Sequence, residues 1–136
     1  MGTRTTPVAR LEEILGEPTF RRKLVSAKLK GKGSSIEGCV VLTLRKKYNL
    51  DDVYIDLKAA IHAVGIDNVR IGGPHFLPPD PAAYFMKNEE TNQCLFKLTA
   101  SMNEVTITPC LGKIGQYTTE QVLRAYIRNL RASNRN

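Results

Sequence analysis

The sequence predicts a single α+β domain, residues 1–136, whose sheet is mostly antiparallel, and three observations support this expectation. The chain is long enough to bury one hydrophobic core, and 42% of its 136 residues are apolar. Several short runs alternate apolar and polar residues, which is typical of strands, while other segments repeat apolar residues at helical spacing. The element order is α-β-β-α-β-loop-β-β-β-α, and the predicted domain has a sheet of about five strands and three helices. Residues 1–6 and 132–136 are expected to be flexible tails.

A short helix and a long hairpin are predicted at the start of the domain. Pro7 suits the first position of a helix, and Gly16 is a typical residue just beyond its end. Apolar and polar residues then alternate through 20–29 and again through 36–45. Residues 30–35 separate the two runs with a Gly- and Ser-rich turn. The runs are therefore predicted to pair as a hairpin with a basic tip.

The middle of the chain is predicted to form a helix, a short strand and a loop. Asn49 is a suitable N-cap for an amphipathic helix that Gly65 closes. A short strand is expected at residues 69–71. The next segment, residues 72–81, contains four prolines and two glycines and is predicted to be a loop.

Three more strands and a final helix are expected after the loop. The strand candidates are residues 84–87, 93–99 and 104–108. Thr118 and Gln121 have the spacing of a capping box, which predicts a helix that continues to about Ala132.

Charge is distributed unevenly along the chain, whose net charge is +7. Residues 1–49 carry a net charge of +7, residues 50–111 carry −4, and residues 112–136 carry +4. Two basic ends therefore flank an acidic middle. Such an arrangement favours contact with nucleic acid, with an anionic membrane, or with another copy of the chain.

The hairpin is the first predicted nucleic-acid-binding segment. Nine Lys and Arg residues face one acid between residues 21 and 47. Their repulsion works against compaction unless an anion lies between them. The cations are Arg21, Arg22, Lys23, Lys28, Lys30, Lys32, Arg45, Lys46 and Lys47. Phosphate binding is the favoured interpretation, and the alternative is a sheet edge that lysine protects against aggregation.

The final helix is the second predicted nucleic-acid-binding segment. Arg124, Arg128 and Arg131 share the side opposite its apolar residues, and a planar guanidinium can make two hydrogen bonds to a phosphate. The alternative is a solvated face near a helix C-terminus, where cations are favoured in any case.

Two further surfaces are predicted from the charges and from short motifs. Head-to-tail self-association would use the acidic middle of the chain, namely Asp51, Asp52, Asp56, Glu89 and Glu90. Membrane attachment would use Gly2, which fits an N-myristoylation template, and the apolar pair Phe76 and Leu77 in the proline-rich loop.

No catalytic residue, metal site or cofactor is predicted. The two histidines and three cysteines lack the spacing of paired metal ligands. An odd number of cysteines suggests free thiols and an intracellular location, cytoplasmic or nuclear. No apolar run is long enough to span a membrane, and the N-terminus lacks the apolar segment of a secretory signal.

The expected function is non-enzymatic binding of nucleic acid through phosphate contacts, with RNA as the favoured partner and with copies assembling along the polyanion. One alternative is a matrix-like structural protein, of a viral kind, that self-associates beneath an anionic membrane. Another is an adaptor whose basic surface binds an acidic protein.

Overall fold

The computed structural model describes residues 7–16, 24–29, 39–75, 82–101 and 103–134. These residues form three helices and eight strands. The helices are α1 (Pro7–Leu15), α2 (Leu50–Val64) and α3 (Thr119–Asn134). The strands are β1 (Leu24–Leu29), β2 (Val40–Leu44), β3 (Val69–His75), β4 (Ala83–Asn88), β5 (Cys94–Ser101), β6 (Glu104–Pro109), β7 (Lys113–Ile114) and β8 (Tyr117–Thr118).

Six of the strands form one antiparallel sheet in the order β1-β2-β6-β5-β4-β3, and β7 and β8 form a small separate ribbon. The predicted α+β class and the antiparallel sheet are therefore confirmed, with six strands in the main sheet rather than about five. The predicted hairpin is confirmed as well, because Leu24 pairs with Leu44 at one end of β1 and Leu29 pairs with Val40 at the other. The predicted tip of this hairpin, residues 30–35, lies outside the described residues.

The three helices pack on one face of the sheet and enclose the core there. On the sheet side, Val40, Leu42 and Leu44 of β2 belong to this core, as do the residues that β6 and β5 place beside them. On the helix side, the core receives Leu11 of α1 and the apolar sides of α2 and α3. The domain therefore has two layers, with the helices covering a single face of the sheet.

Helix α2 begins at a capping box. The side chain of Asn49 accepts a hydrogen bond from the backbone N–H of Asp51 (3.0 Å), and the carboxylate of Asp52 accepts one from the backbone N–H of Asn49 (3.0 Å). Both bonds satisfy backbone donors that a helix leaves free at its first turn. The predicted N-cap and the predicted end at Gly65 are confirmed.

Helix α3 also begins where the sequence predicted. The backbone N–H of Thr118 donates to Gln121 Oε1 (2.9 Å), and the backbone N–H of Gln121 donates to Thr118 Oγ1 (3.1 Å). The predicted apolar side is buried: Val122, Leu123, Tyr126, Ile127 and Leu130. In the C-terminal half of α3, the side-chain amide of Asn129 donates hydrogen bonds to the carbonyls of Glu12 (3.0 Å) and Gly16 (2.7 Å). These bonds connect α3 to the end of α1.

The predicted loop at residues 72–81 is wrong for its first part, because β3 continues to His75. Gly72 pairs with Phe85 and His75 pairs with Ala83. Strand β3 lies at the edge of the sheet, where a proline costs no ladder hydrogen bond and glycine is tolerated. Local composition therefore indicated a loop where long-range pairing extends a strand. Residues 76–81 lie outside the described residues.

The expectation of three free thiols is wrong for two of the cysteines. Cys94 and Cys110 form a disulfide, with their Cα atoms 5.9 Å apart, while Cys39 is free and buried. The pairing of β5 with β6 brings the two residues together, and the N–H of Cys110 donates to the carbonyl of Leu95 (2.9 Å). The number of cysteines alone could not predict this disulfide, because it depends on how β5 pairs with β6.

Candidate functional site

Part of the predicted hairpin surface and all of the predicted membrane surface lie outside the described residues. These residues are Gly2, Arg21, Arg22, Lys23, Lys30, Lys32, Phe76 and Leu77. The hairpin hypothesis therefore depends on Lys28, Arg45, Lys46 and Lys47, and the described part of the chain carries no residue of the membrane hypothesis.

The sheet has a second face, opposite the helices, and we call it the open face. Residues paired directly across antiparallel strands have side chains on the same side of the sheet, and successive residues alternate between the two sides. The residues that alternate with those of the core therefore define the open face. They are Ser26, Lys28, Val41, Thr43, Arg70, Gly72, Ala83, Phe85, Lys87, Lys97, Thr99, Ser101, Glu104, Thr106 and Thr108.

Four residues of β3, β4 and β5 form a cluster on the open face, and we call it the cationic cluster: Arg70, Phe85, Lys87 and Lys97. Lys97 pairs with Phe85, and Lys87 pairs with Arg70 on the outer edge. Arg70 is exposed, and the other three are half-buried. Like charges directly opposite each other destabilise a sheet, so the facing Lys87 and Arg70 have an unfavourable interaction that an anion would relieve.

The charges of this cluster have no opposite partner among the described residues, where no ion pair involves Arg70, Lys87 or Lys97. Glu104 is the single acid of the open face as defined above, and it lies towards the other end of the strands, opposite Thr43 and Ser101. The face is therefore positive at its β3–β5 side.

Lys28 and a group of threonines extend the polar part of the open face. Lys28 is exposed on β1, at the opposite edge of the sheet from Arg70. Thr99, Thr106 and Thr108 lie between these edges and are half-buried. Threonine hydroxyls are common donors to phosphate and sugar oxygens, so the centre of the face can contribute hydrogen bonds without adding charge.

The second described group of cations is the basic triplet Arg45, Lys46 and Lys47, in the turn between β2 and α2. All three side chains are exposed, and the turn is closed by a hydrogen bond from the N–H of Tyr48 to the carbonyl of Arg45 (3.0 Å). No ion pair joins the triplet to any described acid. The triplet therefore presents three accessible donors at the end of the open face nearest Glu104.

The arginine row of α3 is exposed as predicted, but each of its members has a partner within the molecule. Arg124 pairs with Glu120 at 2.9 Å, and Arg128 lies 3.7 Å from Glu12 of α1. The guanidinium of Arg131 donates to the carbonyl of Ala27 through Nε (3.2 Å) and Nη2 (3.0 Å). Arg131 thus protects the β1 edge of the sheet, and the row lies on the helix layer rather than on the open face.

The acidic residues predicted for self-association occupy three different environments. Asp51 is exposed at the start of α2, beside the half-buried capping residue Asp52. Glu89 and Glu90 are exposed in the turn after β4, where the amide of Asn68 donates to Glu90 (3.3 Å). These positions leave Asp51, Glu89 and Glu90 accessible to a second copy.

The prediction is wrong for Asp56, which is buried with 5% of its surface exposed. Its carboxylate accepts a hydrogen bond from the hydroxyl of Tyr126 on α3. Burial, followed by the nearby Asp56 carboxylate, raises the pKa of Tyr126 well above its usual value. Asp56 therefore joins α2 to α3 and cannot contact another molecule. A carboxylate on the apolar side of a helix was the sequence signal for this pairing.

Metal-binding arrangements are absent from the part of the chain that the structure describes. Its residues contain no group of three or more His, Cys, Asp or Glu side chains placed to hold a metal ion. His62, on the exposed side of α2, lies 3.2 Å from Asp67. None of the helices in the described ranges combines the length and the apolar character that crossing a bilayer requires.

No protein-family model, curated protein sequence or solved structure matches this chain. Function is therefore inferred from the geometry and charge described above. The cationic cluster was missed by the sequence reasoning because its residues come from three strands and only the register brings them together. Alternation of Phe85 with Lys87 was the one local signal, since residues two apart in a strand share a face.

Proposed function

We propose that this protein binds nucleic acid, with RNA as the favoured partner, through phosphate contacts and without catalysis. The observation that carries the proposal is the concentration of cations on the open face and in the basic triplet, with no acidic partner among the described residues. Phosphate neutralisation releases counterions and is the main source of sequence-independent affinity for nucleic acids.

The contrast between the two sets of cations supports this assignment of roles. The arginines of α3 already have carboxylate or carbonyl partners, and these account for their positions. No carboxylate or carbonyl partner among the described residues explains the positions of Arg45, Lys46 and Lys47. Arg70 and Lys87, in addition, repel each other. In the proposal, the open face and the triplet make the principal contacts, and the α3 row adds weaker ones.

A nucleic-acid partner also implies an intracellular location, cytoplasmic or nuclear, and this is part of the same proposal. Thiols are kept reduced in those compartments. We therefore expect Cys94 and Cys110 to be close but unbonded there and to form their bond on oxidation.

The test is the salt dependence of binding to a single-stranded RNA of about 12 nucleotides. Changing Arg45, Lys46 and Lys47 together to Ala should weaken binding to every sequence similarly. The slope of log affinity against log salt should flatten by about 0.7 for each phosphate that the variant no longer neutralises, up to about 2 in total.

A matched control removes the same charge from the helix side of the molecule. Arg10, Lys58 and Lys113 are all exposed, and changing them together to Ala also removes three positive charges. This control should retain most of the affinity and the slope, and Arg124→Ala with Arg128→Ala should have an intermediate effect. Equal weakening in the triplet variant and the control would show that only net charge matters and would contradict the proposed surface.

The same titration with vesicles of anionic lipid distinguishes the membrane alternative. Vesicle binding that is tighter than RNA binding at the same salt concentration would replace this proposal with the matrix-like function. Absence of RNA binding even at about 0.01 M salt, where charges act over about 30 Å, would refute the proposal outright.

A further inference from the structure

We infer that Cys94 and Cys110 form a reactive dithiol site, activated by Lys87, which low-molecular-weight disulfides of the glutathione class oxidise reversibly in the folded protein. This inference goes beyond the proposed function, and its test requires no nucleic acid. The two cysteines are joined by a disulfide, and their Cα atoms are 5.9 Å apart. Both are half-buried, whereas the third cysteine, Cys39, is buried and free.

Cys94 lies on the open face, directly opposite a cation. The register between β4 and β5 shifts after Met86, and Leu95 and Phe96 are both buried in the core as a result. Cys94 therefore lies on the opposite side of the sheet, where it pairs with Lys87. Residues paired in this way have Cβ atoms about 5 Å apart, so the ammonium group of Lys87 can reach the sulfur of Cys94.

The charges around Cys94 favour its thiolate form, which is the form that attacks a disulfide. Lys87 is directly opposite, Lys97 lies further along β5 on the same face, and Arg70 pairs with Lys87 from β3. No ion pair joins these three cations to a described acid. On the other side of β5, the last two residues of β6 carry no charge. The acids in the turn between β4 and β5 are exposed: Glu89 and Glu90.

Cys110 is held in place by backbone hydrogen bonds. Its N–H donates to the carbonyl of Leu95 (2.9 Å), and its carbonyl accepts a hydrogen bond from the hydroxyl of Thr119, the first residue of α3. Neither bond involves a sulfur atom, so both are expected to persist when the disulfide is reduced. Two thiols held close together react readily, because little entropy remains to be lost when they meet.

The proposed exchange with glutathione disulfide has two steps. The thiolate of Cys94 attacks one sulfur of the oxidant, which forms a mixed disulfide and releases one glutathione thiolate. Cys110 then gives its proton to water, and its thiolate attacks the sulfur of Cys94 and releases the second glutathione thiolate. The protein loses two electrons, and the oxidant becomes two glutathione thiols after it takes up two protons. Excess reduced glutathione reverses both steps.

Mass spectrometry of the folded, fully reduced protein tests the site after incubation with glutathione disulfide and an acid quench. The parent should lose the mass of two hydrogens and regain it in excess reduced glutathione, while Cys39 stays a thiol. Cys110→Ser should stop at the first step and keep one glutathione, which peptide mapping should locate on Cys94. Reaction only in denaturant, or equal reaction of Cys39, would overturn the inference.

A second experiment tests the activation by Lys87 in the Cys110→Ser background. Lys87→Gln should slow adduct formation about three-fold near neutral pH, because fewer thiolates are present although each is a stronger nucleophile. The pH of the half-maximal rate should rise, and Lys87→Arg should restore the parent profile. Lys28→Gln is the matched control, since it removes the same charge at the opposite edge of the sheet and should change neither the rate nor the profile.

The outcomes of both experiments are independent of nucleic-acid binding. A pH profile that Lys87→Gln leaves unchanged, or that Lys28→Gln shifts equally, would contradict activation of Cys94 by its facing cation. Failure of the thiol chemistry would leave phosphate binding intact, and absence of RNA binding would leave the dithiol site intact.

Discussion

The two buried tyrosines of the helix side show how the environment of a single hydroxyl determines its contribution to stability. The hydroxyl of Tyr126 donates to the buried carboxylate of Asp56. The hydroxyl of Tyr117 is buried without a hydrogen-bond partner in the described part of the chain. A buried polar group costs free energy when it is unpaired, and a hydrogen bond to a charged group is among the stronger ones.

The same chemical change should therefore have opposite effects at the two positions. Tyr126→Phe leaves a buried carboxylate without this donor and should lower the free energy of unfolding by about 2 kcal/mol. Tyr117→Phe removes an unpaired hydroxyl and should raise it by up to about 1 kcal/mol. Urea unfolding of both variants measures this difference, and a Tyr126→Phe variant as stable as the parent would contradict the assigned bond.

The raised pKa of Tyr126 predicts a loss of stability at alkaline pH. In the unfolded chain this hydroxyl ionises near pH 10, whereas in the folded state it stays protonated to a higher pH. Above about pH 10 the unfolded state therefore releases more protons, and stability falls by up to about 1.4 kcal/mol per pH unit from this group.

Comparison with Tyr126→Phe isolates this group from every other one that titrates in the same range. The difference in unfolding free energy between the parent and the variant should be constant below about pH 10 and should shrink above it. A difference that stays constant to pH values well above 10 would show that the Tyr126 pKa is not raised.

At the scale of elements, the disulfide joins the start of β5 to the residue that follows β6. Its cysteines are 16 residues apart, so the bond closes a loop that restricts the unfolded chain. Changing both cysteines to Ala should lower the unfolding free energy by about 3 kcal/mol.

Thiol titration of the protein purified without reductant checks the bond directly. In denaturant, the parent should show one reactive thiol, that of Cys39, and three after reduction. Three thiols even after oxidation in air would contradict the disulfide and would restore the expectation of free cysteines.

The elements that could be predicted from the sequence are those with local signals. Asn49 and Thr118 start helices through bonds to residues two or three positions away, so spacing alone identified them. The extension of β3 to His75 depends on pairing with β4, a partner distant in sequence, and its glycines and proline indicated a loop. The two-residue strands β7 and β8 are too short for any periodicity to reveal.

At the scale of the whole molecule, the candidate site also combines features that the local sequence reveals with features that depend on contacts between distant residues. Net charge and the exposed triplet Arg45–Lys47 could be recognised along the chain. The grouping of Arg70, Lys87 and Lys97 around Phe85 required the register of three strands. The partners of Arg128 and Arg131 required the packing of α1 and β1. Asp56 was misassigned because a charged residue was expected on the surface, whereas Tyr126 compensates its burial.

Self-association remains a proposal for the whole molecule, now through Asp51, Glu89 and Glu90 and the exposed cations of a neighbour. Sedimentation should show oligomers at about 0.01 M salt that dissociate at about 0.15 M, because the screening length falls from about 30 Å to about 8 Å. Changing the three acids to their amides should abolish the oligomers. A monomer under both conditions would rule out this mode of assembly.

The most direct test of RNA binding by the open face is an amide chemical-shift titration of the ¹⁵N-labelled protein with single-stranded RNA of about 12 nucleotides. We expect the largest shifts at Arg70, Phe85, Lys87 and Lys97 and in the basic triplet, while amides around Ile55 on α2 stay unchanged. Absence of shifts with excess RNA at about 0.01 M salt, or shifts confined to the helix layer, would contradict binding by the open face.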